Sequence, residues 1–138
     1  MRALGKSQAP QTILVVDDDE DIREVVRVTL QDIAGHRVLF VASGLEAIEV
    51  ARSESPHLVL LDSVMPVMSG LATLKRFRDD PALCRLPVVF MTANVGATDR
   101  ARYSAMGAIG VITKPFDPLS LIEQVGAWLA VVDREAPP

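Results

Sequence analysis

The chain has 138 residues, 49% of them apolar, and a formal net charge of −4. That length fits one domain with a single core, and the acidic balance argues against a general nucleic-acid binder. One cysteine, Cys84, excludes an internal disulfide framework and fits a reducing cytoplasm. Its simplest role is packing near a loop.

Residues 1–11 are small and polar and contain Pro10, so they are expected to form an N-terminal tail. Arg2 and Lys6 precede the apolar run Ile13 to Val16, but that run is far too short for a signal peptide and acids follow it at once. No stretch approaches the ~20 apolar residues of a membrane helix. The expectation is a cytoplasmic protein with neither a membrane nor a nucleic-acid partner.

Thr12 to Val16 reads as a buried strand. Asp17, Asp18 and Asp19 follow it, and acids suit the positive end of a helix. That helix is expected over about 19–34, with Ile22, Val25, Val26, Thr29, Leu30 and Ile33 inward and Gly35 as its stop. Arg37 to Val41 is a second strand. Ser43 and Glu46 have the form of a capping box, worth about 1 kcal/mol, opening a helix to Ser53. Its inner positions are Leu45, Ala47, Ile48 and Ala51.

Leu58-Val59-Leu60-Leu61-Asp62 is an apolar run ending on one carboxylate, as expected of a strand covered on both faces. A third helix spans 70–78, with Leu71, Leu74 and Phe77 inward. Val88 to Thr92 is the fourth strand, Ala97 to Met106 the fourth helix, and Gly107 its end. Ile109 to Thr113 is the fifth strand and leads into Lys114-Pro115-Phe116. Asp117-Pro118 supplies a cap and a first-turn proline for the last helix. The spacing turns Leu119, Leu121, Ile122, Val125, Trp128 and Leu129 inward. The domain is expected over 12–131, with a C-terminal tail over 132–138.

Five strands alternating with five helices predict an α/β, doubly wound parallel sheet with helices on both faces. Asp17, Asp18, Asp62, Thr92 and Lys114 each close a strand. They therefore share the carboxyl edge, where open α/β sheets bind ligands. The alternation does not order the strands.

Three carboxylates converging within ~5 Å repel by about 3 kcal/mol per pair at an effective dielectric of about 20. A proton or a cation must relieve this. An all-oxygen donor set without His or Cys favours a hard ion, Mg²⁺ or Mn²⁺. Lys114 adds a point charge and Thr92 a hydroxyl donor. Carboxylate, hard cation, ammonium and hydroxyl are the parts phosphoryl transfer requires. Taken singly, these residues have plainer roles: the acids as helix caps, Thr92 as a strand former, Lys114 as a solvated cation.

At these residues the sequence closely resembles the receiver domain of two-component response regulators, with a chemotaxis-regulator-like fold. The matching pieces are Ile13-Leu14-Val15-Val16-Asp17-Asp18, Leu61-Asp62-Ser63-Val64-Met65-Pro66, Met68-Ser69-Gly70, Met91-Thr92-Ala93, Gly107-Ala108 and Lys114-Pro115-Phe116. The resemblance spans 13–129. It implies a flavodoxin-like sheet of order 2-1-3-4-5 with five helices. It implies that Asp62 accepts a phosphoryl group from a sensor histidine kinase or a histidine phosphotransfer protein. The metal, Mg²⁺ or Mn²⁺, would sit on Asp17, Asp18, Asp62 and the Val64 backbone carbonyl. Thr92 and Lys114 would be the switch and phosphoryl-stabilising residues, and the bond to Pro115 would be cis. Such a chain is a signalling protein, catalysing only its own phosphorylation and dephosphorylation. With no output domain in the sequence, it would signal by contact with a downstream protein.

The sequence departs from the family at two places, and two further positions bear on dephosphorylation. Val111 stands where many receivers carry Tyr or Phe, and Tyr103 is no obvious substitute. Ser69 stands where Asp is common. Val64 and Asn94 occupy positions that tune dephosphorylation. Two other readings compete. A phosphatase resembling the haloacid dehalogenase superfamily would use Asp17 as nucleophile and Asp19 as acid. A pseudo-receiver would bind partners without phosphorylation.

Overall fold

The computed structural model describes residues 11–135. The first helix, α1 (Glu20–Val26), continues as a π-helical segment (Arg27–Ile33). It is preceded by β1 (Thr12–Val16) and followed by β2 (Arg37–Val41), α2 (Gly44–Glu54), β3 (Leu58–Asp62) and α3 (Gly70–Asp79). The chain continues through β4 (Val88–Thr92), α4 (Ala97–Ala105), β5 (Gly110–Thr113) and α5 (Pro118–Glu135). All neighbouring strands are parallel, in the order β2-β1-β3-β4-β5. This is the doubly wound, flavodoxin-like sheet that the resemblance implied.

Strand alternation divides the core in two. Leu14, Val16, Val59, Leu61, Val88 and Phe90 pack with Ala47 and Ile48 of α2, Leu74 and Phe77 of α3 and Tyr103 of α4. On the other face Ile13, Val15, Leu58, Leu60, Val89 and Met91 pack with Val26 and Leu30 and with Leu121, Val125 and Leu129 of α5. β1, β3 and β4 are buried along their whole length. With both faces covered, their apolar runs need no polar alternation.

Four residues expected inside lie outward. Leu45 is 53% exposed and Leu119 71%. Each stands two positions before an inward residue, Ala47 or Leu121, and so about 200° away around its helix. Val25 is 43% exposed, beside a narrow inward stripe that Val26 occupies. Ile33 is 65% exposed because the helix has changed pitch by then. The Ala34 N–H reaches back five residues to the Thr29 carbonyl, and the wider turn rotates Ile33 off the core.

Asp19 caps α1, and Gly35 follows the π segment at φ +82°, where a Cβ would be strained. The Ser43 hydroxyl accepts the Glu46 N–H. Glu46 in turn takes the Ala42 N–H and the Ser43 hydroxyl, one residue off the reciprocal capping-box pattern. Gln11, expected in the tail, continues the bonding of β1 to β2, its carbonyl accepting the Arg37 N–H. Helix α5 runs four residues past the expected domain end at 131. The rest of the expected tails, 1–10 and 136–138, lies outside the described residues. No described helix is long and apolar enough to cross a membrane.

Candidate functional site

The parallel sheet brings the carboxyl ends of β1, β3, β4 and β5 together. Asp17 directly follows β1 and is fully buried. Its Oδ1 accepts the Asp19 N–H at 2.9 Å, and its Oδ2 lies 2.6 Å from Lys114 Nζ. Its carbonyl accepts from Arg23 of α1 at 2.8 Å. Asp18 is exposed at the rim. Asp62 ends β3 and is 7% exposed. Its Oδ1 accepts the Val64 N–H at 3.2 Å, and its Oδ2 lies 3.6 Å from Lys114 Nζ. One carboxylate oxygen from each of Asp17, Asp18 and Asp62 lies within 4.8 Å of the others.

Local structure fixes each group. The Gly70 N–H bonds to the Ser63 carbonyl at 3.0 Å and seats α3 against the end of β3. A Cβ at Gly70 would run into the Asp62 carbonyl. Ser69 caps α3 by accepting the Ala72 N–H, which makes it a competent replacement for the commoner Asp. Lys114 is anchored by its own N–H on the Thr92 carbonyl, and the Lys114–Pro115 bond is cis.

The site carries three carboxylates against one ammonium. Burial pushes the Asp62 carboxyl above its ordinary range, and the Asp17 charge adds to this. The Val64 N–H and Lys114 oppose the shift, and Asp18 reinforces it. The repulsion is therefore only partly relieved by Lys114. A hard divalent cation fits this cluster: the donors are all oxygen, they converge, and one of them faces solvent, as an ion that keeps its waters requires.

Asp17, Asp18, Asp62 and Lys114 thus meet as the sequence reading expected. Thr92 stands beside them, but its hydroxyl does not touch a carboxylate. Its Oγ1 accepts the Asn94 N–H at 3.0 Å and pairs with Ser63 Oγ at 2.6 Å. Val64 has an exposed side chain and meets Asp62 through its backbone. Ser63 and Arg23 are the site-lining residues that sequence reasoning passed over. The signal for Ser63 was its place directly after Asp62, at the carboxyl end of β3. Tyr103 contributes at the loop after β4. Its hydroxyl donates to the Asn94 carbonyl at 3.0 Å, and its ring lies against Phe90 at 4.4 Å. An α4 aromatic therefore supports the loop after Thr92, while Val111 on β5 is half-buried.

A separate groove of about 1090 Å³ opens at the opposite edge of the sheet, beside His57, Pro87, Ile109 and Trp128, and includes none of the carboxylates. The geometry lends the phosphatase reading no support: Asp19, its would-be acid, accepts the Asp21 and Ile22 N–H groups as the cap of α1.

The response regulator receiver domain family matches residues 13–126. The chain belongs to this family. The receiver is 32% identical to the polar-differentiation response regulator DivK of Brucella anthropi, over 87% of this chain and 97% of that one. In structure it is similar to the Vibrio cholerae chemotaxis protein CheY4, with TM-score 0.81, 33% identity and coverage of 86% of this chain and 98% of that one. It is also similar to the receiver domain of a Pseudomonas aeruginosa sensor histidine kinase that holds a magnesium ion in its active site cleft. There the TM-score is 0.79 and the identity 29%, over 88% of this chain and 99% of that one. The receiver spans about half the length of other curated relatives, 56% and 50% of two transcriptional regulators. These relatives are signalling proteins and lend no support to a haloacid dehalogenase phosphatase.

Proposed function

We propose that this receiver is a phosphorylation-controlled signalling module of a two-component phosphorelay. Asp62 accepts a phosphoryl group from the histidine of a sensor kinase or a histidine phosphotransfer protein. The single observation that carries this reading is the cluster of Asp17, Asp18 and Asp62 with Lys114 reaching two of the three.

An Asp62 carboxylate oxygen attacks phosphorus in line. The new P–O bond forms as the P–N bond to the donor imidazole breaks, its electron pair staying on nitrogen. Asp17, Asp18, Asp62 and the Val64 carbonyl would hold Mg²⁺, or Mn²⁺ in its place. The bound ion supplies charge neutralisation to the phosphoryl oxygens. Lys114 neutralises a further oxygen, and Thr92 donates its hydroxyl to another. Later attack of water on the acyl phosphate returns Asp62 and releases phosphate, so the receiver catalyses its own phosphorylation and dephosphorylation. It works in the cytoplasm and signals by contact with a downstream protein.

Intact-mass analysis after incubation with acetyl phosphate and Mg²⁺ tests this. One added phosphoryl group is expected, labile to hydroxylamine and absent with EDTA or in Asp62→Asn. An adduct that persists in Asp62→Asn would place the nucleophile elsewhere.

A further inference from the structure

We propose that Ser63 is a positioning residue: its hydroxyl holds the Thr92 hydroxyl in a resting place and so sets how readily the site takes up a phosphoryl group. This rests on the reading of Asp62 as acceptor and Thr92 as donor.

Ser63 is 7% exposed and Thr92 1%, and buried hydroxyls require partners. Their oxygens lie 2.6 Å apart, at the short end of the O–H···O range. One lone pair of Thr92 Oγ1 already receives the Asn94 N–H. A hydroxyl has one proton and two lone pairs, so the contact with Ser63 takes one of the two sites left on Thr92. Among the described residues, no other side-chain bond of Ser63 competes with it. Ser63 is the residue after Asp62, just past the end of β3. The pair therefore engages the Thr92 hydroxyl with Ser63 and not with the Asp62 carboxylate. With Thr92 assigned as the donor of the pair, it must leave Ser63 to donate to a phosphoryl oxygen on Asp62, and the buried Ser63 hydroxyl is then left without that partner. The pair is a latch whose opening opposes phosphorylation.

The latch is cut by Ser63→Ala, which leaves Thr92 free to turn. Beryllofluoride with Mg²⁺ mimics the bound phosphoryl group, and its affinity can be followed by fluorine NMR in wild type, Ser63→Ala, Thr92→Val and the double variant. Ser63→Ala is expected to bind about fivefold more tightly than wild type, the worth of one hydrogen bond. The gain is expected to vanish in the Thr92→Val background, which a merely structural effect of residue 63 would not do. Unchanged or weaker binding by Ser63→Ala, or an equal gain in both backgrounds, overturns the proposal. Weaker binding would make Ser63 itself a phosphoryl ligand. A wild-type protein that takes up neither beryllofluoride nor phosphate overturns the reading of Asp62 as well.

Discussion

Lys114 Nζ lies 2.6 Å from Asp17 Oδ2, a bond between residues 97 apart in the chain. Asp17 is fully buried and the lysine side chain is only 16% exposed. Breaking such a pair from one side leaves a buried charge, a loss of about 3 kcal/mol. Lys114→Met is therefore expected to lower stability by that order in EDTA, read from urea denaturation. Added Mg²⁺ should recover much of the loss by neutralising the same carboxylates. An equal loss with and without the ion would place the cation elsewhere.

Asp18 separates metal binding from folding. It is exposed, so its charge supports the fold little, and stability should change by no more than about 0.5 kcal/mol in Asp18→Asn. Mg²⁺ affinity should fall by at least the roughly tenfold that loss of a supporting partner costs a metal site. Calorimetric titration beside a melting curve checks both. A variant that binds Mg²⁺ like wild type would remove Asp18 from the ligand set.

Gly70 is required by close approach. A methyl there would meet the Asp62 carbonyl and the Ser63 Cα, both backbone atoms that cannot swing aside. Gly70→Ala should destabilise by about 2 kcal/mol and displace Asp62, with phosphorylation by acetyl phosphate slowed beyond what the folded fraction explains. Gly126 provides the contrast, since a Cβ there meets nothing within 4 Å. Gly126→Ala in mid-helix should stabilise by about 0.7 kcal/mol. If the two alanines behave alike, the packing argument for Gly70 is wrong.

Tyr103→Phe removes a buried hydroxyl from the Asn94 carbonyl while keeping the ring on Phe90. The expected loss is about 1 kcal/mol. Amide exchange should quicken in residues 93–96, and much less in α5. Uniform quickening across the protein would mean that Tyr103 serves the core and not this loop.

Burial holds the half-buried His36 imidazole below its ordinary range. The unfolded chain therefore binds this proton first as pH falls. Stability contributed at His36 is present above the unfolded pKa of about 6.5 and is lost as pH drops from there through the lower folded value. Denaturation midpoints between pH 7 and 5 should decline less steeply in His36→Gln than in wild type. Parallel declines would assign the acid sensitivity to other groups.

The order of elements is written locally, in the apolar runs, caps and turn residues that place Asp17, Asp62, Thr92 and Lys114 at strand ends. Asp19 and Asp117 lie beside the N–H groups they cap, so such features are visible within a few residues. The inward faces of helices were legible only where one stripe dominates. Leu45 and Leu119 are apolar without being core, and the π turn after Val26 has no local signal strong enough to announce it.

What the sequence determined by itself was the alternation of strand and helix and the chemistry gathered on one edge, because period and capping act over one or two turns. The strand order entered the sequence reading only through family resemblance. Which atoms meet was decided by the tertiary structure. Lys114 choosing Asp17 over Asp62, Ser63 bonding Thr92 and Trp128 packing against the bare face of Gly110 are contacts across the sheet. They depend on register and helix seating, which no short stretch of chain encodes, and they exist only once β1, β3, β4 and β5 lie side by side.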